Sequence, residues 1–410
     1  MKNCLLSGLT KWIIRGSSSC CLAILVACTP AKVQLNVVPL PNDMEIKTGF
    51  FEVDSAQFAN ESMDKFITCR IDSAFNRDLG EEGYNLSVSS GTIRLNACTE
   101  KGAFYGKQTL KQLLSSRGIP CVEIKDAPRF SYRGLHIDVS RHFFSKEEII
   151  KLLDEMAYYK LNKFHFHLTD NGGWRIQIDK YPRLTSMGAF RTQCEWVEWW
   201  DKKDRTYLPE GTPNAYGGYY TKEDIREILA HAEKLHIEVI PEIEFPAHSD
   251  EVFIGYPELC CTGKPYTSGE FCAGNERTYT FMENVLTEII DLFPSEYIHI
   301  GGDEARKIAW KTCSKCQTLM EKEGLKDLEE LQCYMIARME AFLTSKGKRM
   351  IGWDEVLNNH LAPTSTIISY RGQETASEAA NRGYNVVFTP GAALYFDWYQ
   401  ATPETQPRAM

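Results

Sequence analysis

The chain has 410 residues, 43% of them hydrophobic and 25% charged, which is enough for two cores and unlike disordered, collagenous or small disulfide-stapled proteins. Its 46 basic residues against 55 acidic ones leave a net charge of −9, so there is no electrostatic reason for it to gather on nucleic acid or anionic lipid. No apolar stretch reaches the roughly 20 residues needed to span a bilayer.

Residues 1–27 read as a secretory signal peptide. Lys2, Lys11 and Arg15 precede a short apolar run, Cys20 to Ala27, with no acidic residue among them. The run ends in Leu25-Val26-Ala27-Cys28, which resembles a bacterial lipobox. Cys28 is therefore the expected lipid attachment site, and the expected location is the cell envelope, with membrane contact only through that anchor. An ordinary signal peptide or an internal apolar patch is the plainer alternative. Export would permit disulfides among the 14 cysteines. Cys313 and Cys316 form a C-x-x-C pair, but a four-ligand zinc site needs a second pair or matching histidines, and none is recognisable by spacing. A disulfide or two free thiols is expected there, with Cys261 and Cys272 able to staple a loop in the same way.

Residues 28–127 predict a small α/β domain, with β-rich runs at Leu86 to Val88 and Ile93 to Leu95 and a helix over Gly102 to Leu114. Asp126-Ala127-Pro128 supplies a boundary, because proline disfavours the continuation of regular structure. Over 128–410, buried strands are predicted at Gly134 to Val139, Lys163 to Leu168, Ile237 to Ile243, Tyr297 to Ile300, Arg349 to Trp353, Thr366 to Ser369 and Asn385 to Phe388. Helices lie between them: Ser145 with Glu148, and Thr221 with Asp224, have capping-box spacing. Strand and helix alternating over this length predict an α/β fold, a (β/α)8 TIM-type barrel. Only seven strands are found, so an eighth is expected to be missing from an incomplete barrel, with two sheet edges left open.

Polar residues collect at the strand ends, where barrels of this kind build their sites. The first strand leads into Asp138 and Arg141, the second into Asp170, the third into His248, the fourth into Asp303 and Glu304, the fifth into Trp353, and the seventh into Tyr395 and Asp397. Carboxylates, an arginine, a histidine and aromatic rings around one mouth suit a sugar, with flat faces for stacking and charges for hydroxyls. The plainer reading of Asp303-Glu304 is a solvated pair opening a helix. Strand alternation would point the two side chains to opposite faces. They would then not serve as the acid and nucleophile of the two-carboxylate scheme.

Taken in order, Arg133-Gly134-Leu135-His136-Ile137-Asp138-Val139-Ser140-Arg141-His142, His165-Phe166-His167-Leu168-Thr169-Asp170, Pro241-Glu242-Ile243-Glu244 with Pro246 and His248, and His299-Ile300-Gly301-Gly302-Asp303-Glu304 resemble glycoside hydrolase family 20, the β-N-acetylhexosaminidases. The resemblance runs from Tyr132 to Gln400, and the segment before it resembles the family's small α/β domain. It implies exo-acting release of terminal β-linked N-acetylglucosamine or N-acetylgalactosamine from an oligosaccharide, with retention and with the substrate's own acetamido group as nucleophile. It also implies no metal and no organic cofactor. By the same matching, Glu304 is the general acid and base, Asp303 holds the acetamido N–H, and Tyr395 orients the acetamido oxygen. Arg141 and Asp397 take ring hydroxyls, Asp170 and His248 form a relay behind Glu304, and Trp353 and Tyr370 belong to an aromatic box. Departures are Asn171 where a second acid is common, Ala247 for glycine, and Tyr370 for tryptophan. For single residues, Arg141 in a structural ion pair, Trp353 or Tyr370 as plain core, and His165 and His167 as packed core are the bland alternatives.

Two other readings stay open. His165 and His167 lie two apart on one face of a strand, as ligands of a metal-dependent barrel hydrolase could. An incomplete barrel could also bind glycans without turning them over.

Overall fold

The computed structural model describes residues 35–406 apart from 61–62, 75–76, 203 and 359–360. The predicted signal segment and Cys28 lie outside the described residues.

Two sheets organise the described chain. The first has five strands in the order Asp43–Phe51, Ile119–Asp126, Tyr84–Val88, Ile93–Ala97, Ile67–Ile71. All neighbours are antiparallel except the last pair. Leu86, Val88, Ile93 and Leu95 alternate inward, and a helix over Glu100–Leu113, capped by Thr99, covers them with Ala103, Leu110 and Leu113.

The second sheet is wholly parallel, in the order Gly134–Asp138, Lys163–His167, Glu238–Glu242, Tyr297–His299, Arg349–Trp353, Thr366–Ser369, Asn385–Phe388. These are the seven predicted strands, each within two residues of its expected ends. Both predicted capping boxes close: Ser145 and Thr221 accept from the Glu148 and Asp224 amides, and each acid reaches back to the cap amide. Among the described residues the first and seventh strands pair on one side only and stay partly exposed, whereas the second to sixth are buried almost throughout.

Alternation along the strands separates two layers. Phe164, Phe166, Ile298 and Ile367 face the surrounding helices in one large apolar shell. Ile240, Ile351, Trp353 and Ile368 pack in a smaller cluster within the curve of the sheet. The interior is also polar: the Glu242 carboxylate lies 2.7 Å from His165 Nε2 and 2.8 Å from His299 Nδ1, and it accepts the Trp353 indole N–H at 2.8 Å. Lys160 and Arg133 join the two sheets through Asp126 (3.4 Å) and Glu82 (2.8 Å).

Candidate active site

Beyond His299 the chain leaves the sheet, and no helix starts before Ile308. Gly301, Gly302 and Glu304 all have positive φ (68°, 100° and 48°). A Cβ on Gly301 would fall 1.8 Å from Glu244 Oε2, so glycine is required there on both backbone and steric grounds. The expectation that Asp303 and Glu304 point to opposite faces is overturned: strand alternation does not govern an irregular segment with a left-handed residue. Asp303 Oδ2 and Glu304 Oε2 converge on one atom, His248 Nε2, at 3.4 and 3.3 Å. Nor do the acids open a helix.

His248 is the centre of the constellation. It too is left-handed (φ 50°), and its Nδ1 lies 3.2 Å from Asp170 Oδ1. Asn171 stands where a second acid was anticipated and sits within hydrogen-bonding distance of the same nitrogen (3.3 Å), while its side-chain oxygen accepts the Asp250 amide. Arg141 forks between Asp138 (2.5 Å) and Asp170 (2.7 Å). The donors expected to meet sugar hydroxyls are therefore occupied by two carboxylates, although Arg141 still borders the cavity.

These neighbours set the charges. Burial opposes protonation of His248, yet Asp170 and Asp303 together lift its pKa well above the ordinary imidazole value. Contact with His248 in turn holds Glu304 below the usual carboxylate range. Burial, then the Asp303 charge, pushes Glu244 well above that range. Glu304 has 64% of its side chain exposed, against 16% for Asp303. Asp303 Oδ1 and Asp397 Oδ1 are buried without a hydrogen-bond partner among the described residues, whereas most buried polar atoms in proteins are paired.

The remaining predicted residues border the same mouth. Trp353 is buried, with its ring 5.7 Å from and perpendicular to that of Tyr370, whose hydroxyl donates to Glu355. Tyr395 is half-buried, and burial followed by the Asp303 charge pushes its phenol above the ordinary value. His165 and His167 are packed within the interior: His165 Nε2 meets Glu242 at 2.7 Å, whereas His167 lies between Glu242 (3.7 Å) on one side and Glu244 (3.3 Å) and Asp170 (3.7 Å) on the other.

Three features were not anticipated. A cavity of about 860 Å³ runs from Glu304 and Arg141 to a wall of Trp196, Trp200, Arg205 and Tyr266. The two tryptophans stack at 5.0 Å, and the Arg205 guanidinium lies 3.6 Å from the Trp200 ring centroid. The aromatic density of Cys194-Glu195-Trp196-Val197-Glu198-Trp199-Trp200 was the available signal. The second is the polar centre around Glu242. The third corrects the cysteine reading: Cys313-Cys316 is not a lone pair, since all four sulfurs of Cys261, Cys272, Cys313 and Cys316 lie within 4.8 Å of one another.

A seven-stranded parallel sheet with two adjacent acids, a shared histidine and aromatic rings at the C-terminal ends of its strands has the layout of the TIM-barrel class, with its candidate site where such barrels build theirs. The particular family follows from comparison. The sequence model of glycosyl hydrolase family 20, catalytic domain, matches residues 130–410, and that of the family's domain 2 matches 56–127. The chain belongs to glycosyl hydrolase family 20.

Over 98% of its length it is 37% identical to a β-hexosaminidase of Porphyromonas gingivalis, and over 81% it is 39% identical to a β-hexosaminidase of Vibrio furnissii. It spans 57% and 55% of those two proteins. Among solved structures, an exo-β-N-acetylglucosaminidase from Vibrio harveyi in complex with N-acetylglucosamine superposes with a TM-score of 0.79 at 32% identity, covering 89% of this chain and 62% of that one. A β-N-acetylhexosaminidase from Bacteroides fragilis gives 0.75 at 30% identity, covering 89% and 77%.

Proposed function

We propose that the protein is an exo-acting β-N-acetylhexosaminidase that removes terminal non-reducing β-linked N-acetylglucosamine or N-acetylgalactosamine from oligosaccharides, with retention of configuration. The observation that carries this reading is the convergence of Asp303 and Glu304 on His248. Two neighbouring carboxylates on one side of a scissile bond cannot be the opposed acid and nucleophile of the usual scheme. They can act together if the substrate brings its own nucleophile.

In that scheme the acetamido oxygen of the bound sugar attacks C1 as the glycosidic bond breaks, and Glu304 gives its proton to the departing oxygen. The product of this step is a cyclic oxazolinium ion. Asp303 accepts the acetamido N–H and balances the positive charge that develops on the ring, a task for which a fixed carboxylate is well suited. Tyr395 donates its hydroxyl to the acetamido oxygen and aligns it. Water then enters on the face the leaving group vacated, Glu304 takes its proton, and the β-anomer returns.

The charge pattern supports a role for Asp170 and His248 in setting the acid. In the open site Glu304 is exposed and held ionised-favouring by His248. A sugar seated over it would strip away water and raise its pKa, loading the proton where it is needed. The wall of Trp196 and Trp200 lies on the leaving-group side of Glu304 in this reading, offering ring faces to the next sugar.

Hydrolysis of a chromogenic N-acetylglucosaminide beside its 2-hydroxy analogue tests the mechanism. Only the acetamido sugar should turn over, and equal rates would discard substrate assistance. Sugar binding without any turnover would instead favour a glycan-binding protein. Envelope anchoring through Cys28 belongs to the same proposal, and metabolic labelling with a fatty acid that fails in a Cys28→Ser variant would support it.

A further inference from the structure

We propose that Cys261, Cys272, Cys313 and Cys316 hold one structural Zn²⁺ ion as a closed tetrahedral tetrathiolate. The argument rests on sulfur geometry and is independent of the hydrolase reading. A tetrahedral zinc site with bonds of about 2.3 Å places its sulfurs about 3.8 Å apart along each edge. The observed separations are 3.7 Å for Cys261 to Cys316, 3.7 Å for Cys272 to Cys313 and 3.8 Å for Cys272 to Cys316, with all four ligand atoms inside 4.8 Å. Cys272 and Cys316 each have two sulfur neighbours at nearly equal distance, which is the pattern of a shared centre and not of two exclusive pairs.

The backbone is shaped for the same end. Cys313-Ser314-Lys315-Cys316 turns from a short helix, Ile308–Thr312, into the next, Ser314–Glu323, which presents two sulfurs to one point. The opposing loop delivers Cys261 and Cys272 from either side of the Cys260 to Phe271 bridge. It approaches so closely that a Cβ on Gly274 would fall 2.1 Å from the Lys315 carbonyl group. The Gly274 amide is also a hydrogen-bond donor to the Cys316 sulfur, an outer contact of the kind that orients thiolate ligands. Cys272 and Cys316 are buried. A compact all-sulfur tetrahedron selects zinc or iron, and a site with every position filled by protein is a structural one.

The ion would clamp the loop 256–276 to the segment that begins at Glu304. Two other ties join the same elements: Glu270 accepts the Arg306 and Lys307 amides at 2.8 and 3.2 Å, and the Trp310 indole donates to the Phe271 carbonyl at 2.8 Å. The cluster therefore backs the acid-bearing loop from outside the cavity.

The test is elemental analysis of the full chain, purified without added metal, alongside its intact mass under non-reducing conditions. One zinc per chain is expected, released by an organomercurial and retaken as Co²⁺ with thiolate-to-cobalt charge-transfer bands. A Cys313→Ser/Cys316→Ser variant should lose the metal and melt earlier. A metal-free wild-type chain overturns the proposal, whether its four thiols titrate freely or its mass is four hydrogens lighter because two disulfides have formed. Stoichiometric iron overturns it too. These readouts on the wild-type chain decide the matter even if the double variant fails to fold.

Discussion

The two sides of the mouth are built differently. On the side of the second to fourth strands, Asp170 and His248 are only 1% and 9% exposed, and every proposed relay atom has a neighbour within 3.4 Å. On the side of the seventh strand, Tyr395 and Asp397 follow a single helical turn, Gly391–Leu394, and between and beyond them Phe396 is 82% and Trp398 63% exposed. In the proposed mechanism proton handling is thus set in advance by long loops bonded to one another, whereas the proposed sugar contacts of Tyr395 and Asp397 follow a strand that, among the described residues, pairs on one side only. Variants on the first side should change the chemical step, and variants on the second should change how well substrate is held.

The largest effect is expected for Glu304→Gln, with kcat lower by about 10²–10⁴ on a substrate with a poor leaving group. Steady-state kinetics check this, and an unaffected variant would remove Glu304 from the mechanism. Asp303→Asn should cost about 10²–10³ in kcat, as expected when a group aimed at developing charge is neutralised.

Glu242→Ala probes the protein beneath both sides. Burial opposes a charge on His167, but Glu242, with Asp138 and Glu244, raises its pKa to about 10, so the variant removes the largest of the charges that hold an imidazolium in the interior. A loss of about 3–5 kcal/mol is expected in urea unfolding. Because the folded pKa of His167 is raised, its contribution is fully present below about pH 6.5 and is lost as pH climbs toward about 10. The gap between wild type and variant should narrow over that window.

On the exposed side, Asp397→Asn should raise KM roughly tenfold, about 1.4 kcal/mol, and leave kcat nearly unchanged. An equal fall in kcat would dissolve the contrast between the two sides. The smallest effect is a shift in a pH profile. In the proposed mechanism Glu304 must carry a proton for the first step, so kcat/KM should decline as pH rises through its free-enzyme pKa. His248 lowers that pKa, so His248→Asn should move the alkaline limb to higher pH.

What could be read in advance followed from local rules. Apolar runs bounded by caps located all seven parallel strands, and the capping boxes at Ser145 and Thr221 are contacts within three residues. The small sheet was harder. Its edge strand Asp43–Phe51 is mostly exposed and shows no clean alternation, so nothing in its pattern announces a strand. The residues of the site were legible from motifs, but their geometry was not, because the left-handed turn at Glu304 is a backbone property that side-chain identity does not encode. The four sulfurs escaped notice because 40 residues separate Cys272 from Cys313 in the chain, and only tertiary folding joins a ten-residue spacing to a C-x-x-C pair. The glutamate among the histidines was missed for a similar reason: Glu242, His165 and His299 lie on three different strands.

The left-handed backbone at His248 and Glu304 has a consequence for evolution in the laboratory. Only glycine, and to a lesser degree asparagine, occupies that conformation without penalty. A library randomised at these two positions and selected for heat resistance alone should therefore converge on Gly and Asn, discarding the histidine and the glutamate. Selection for turnover should draw the same library the other way, and the distance between the two outcomes measures what the fold gives up to keep its acid in place.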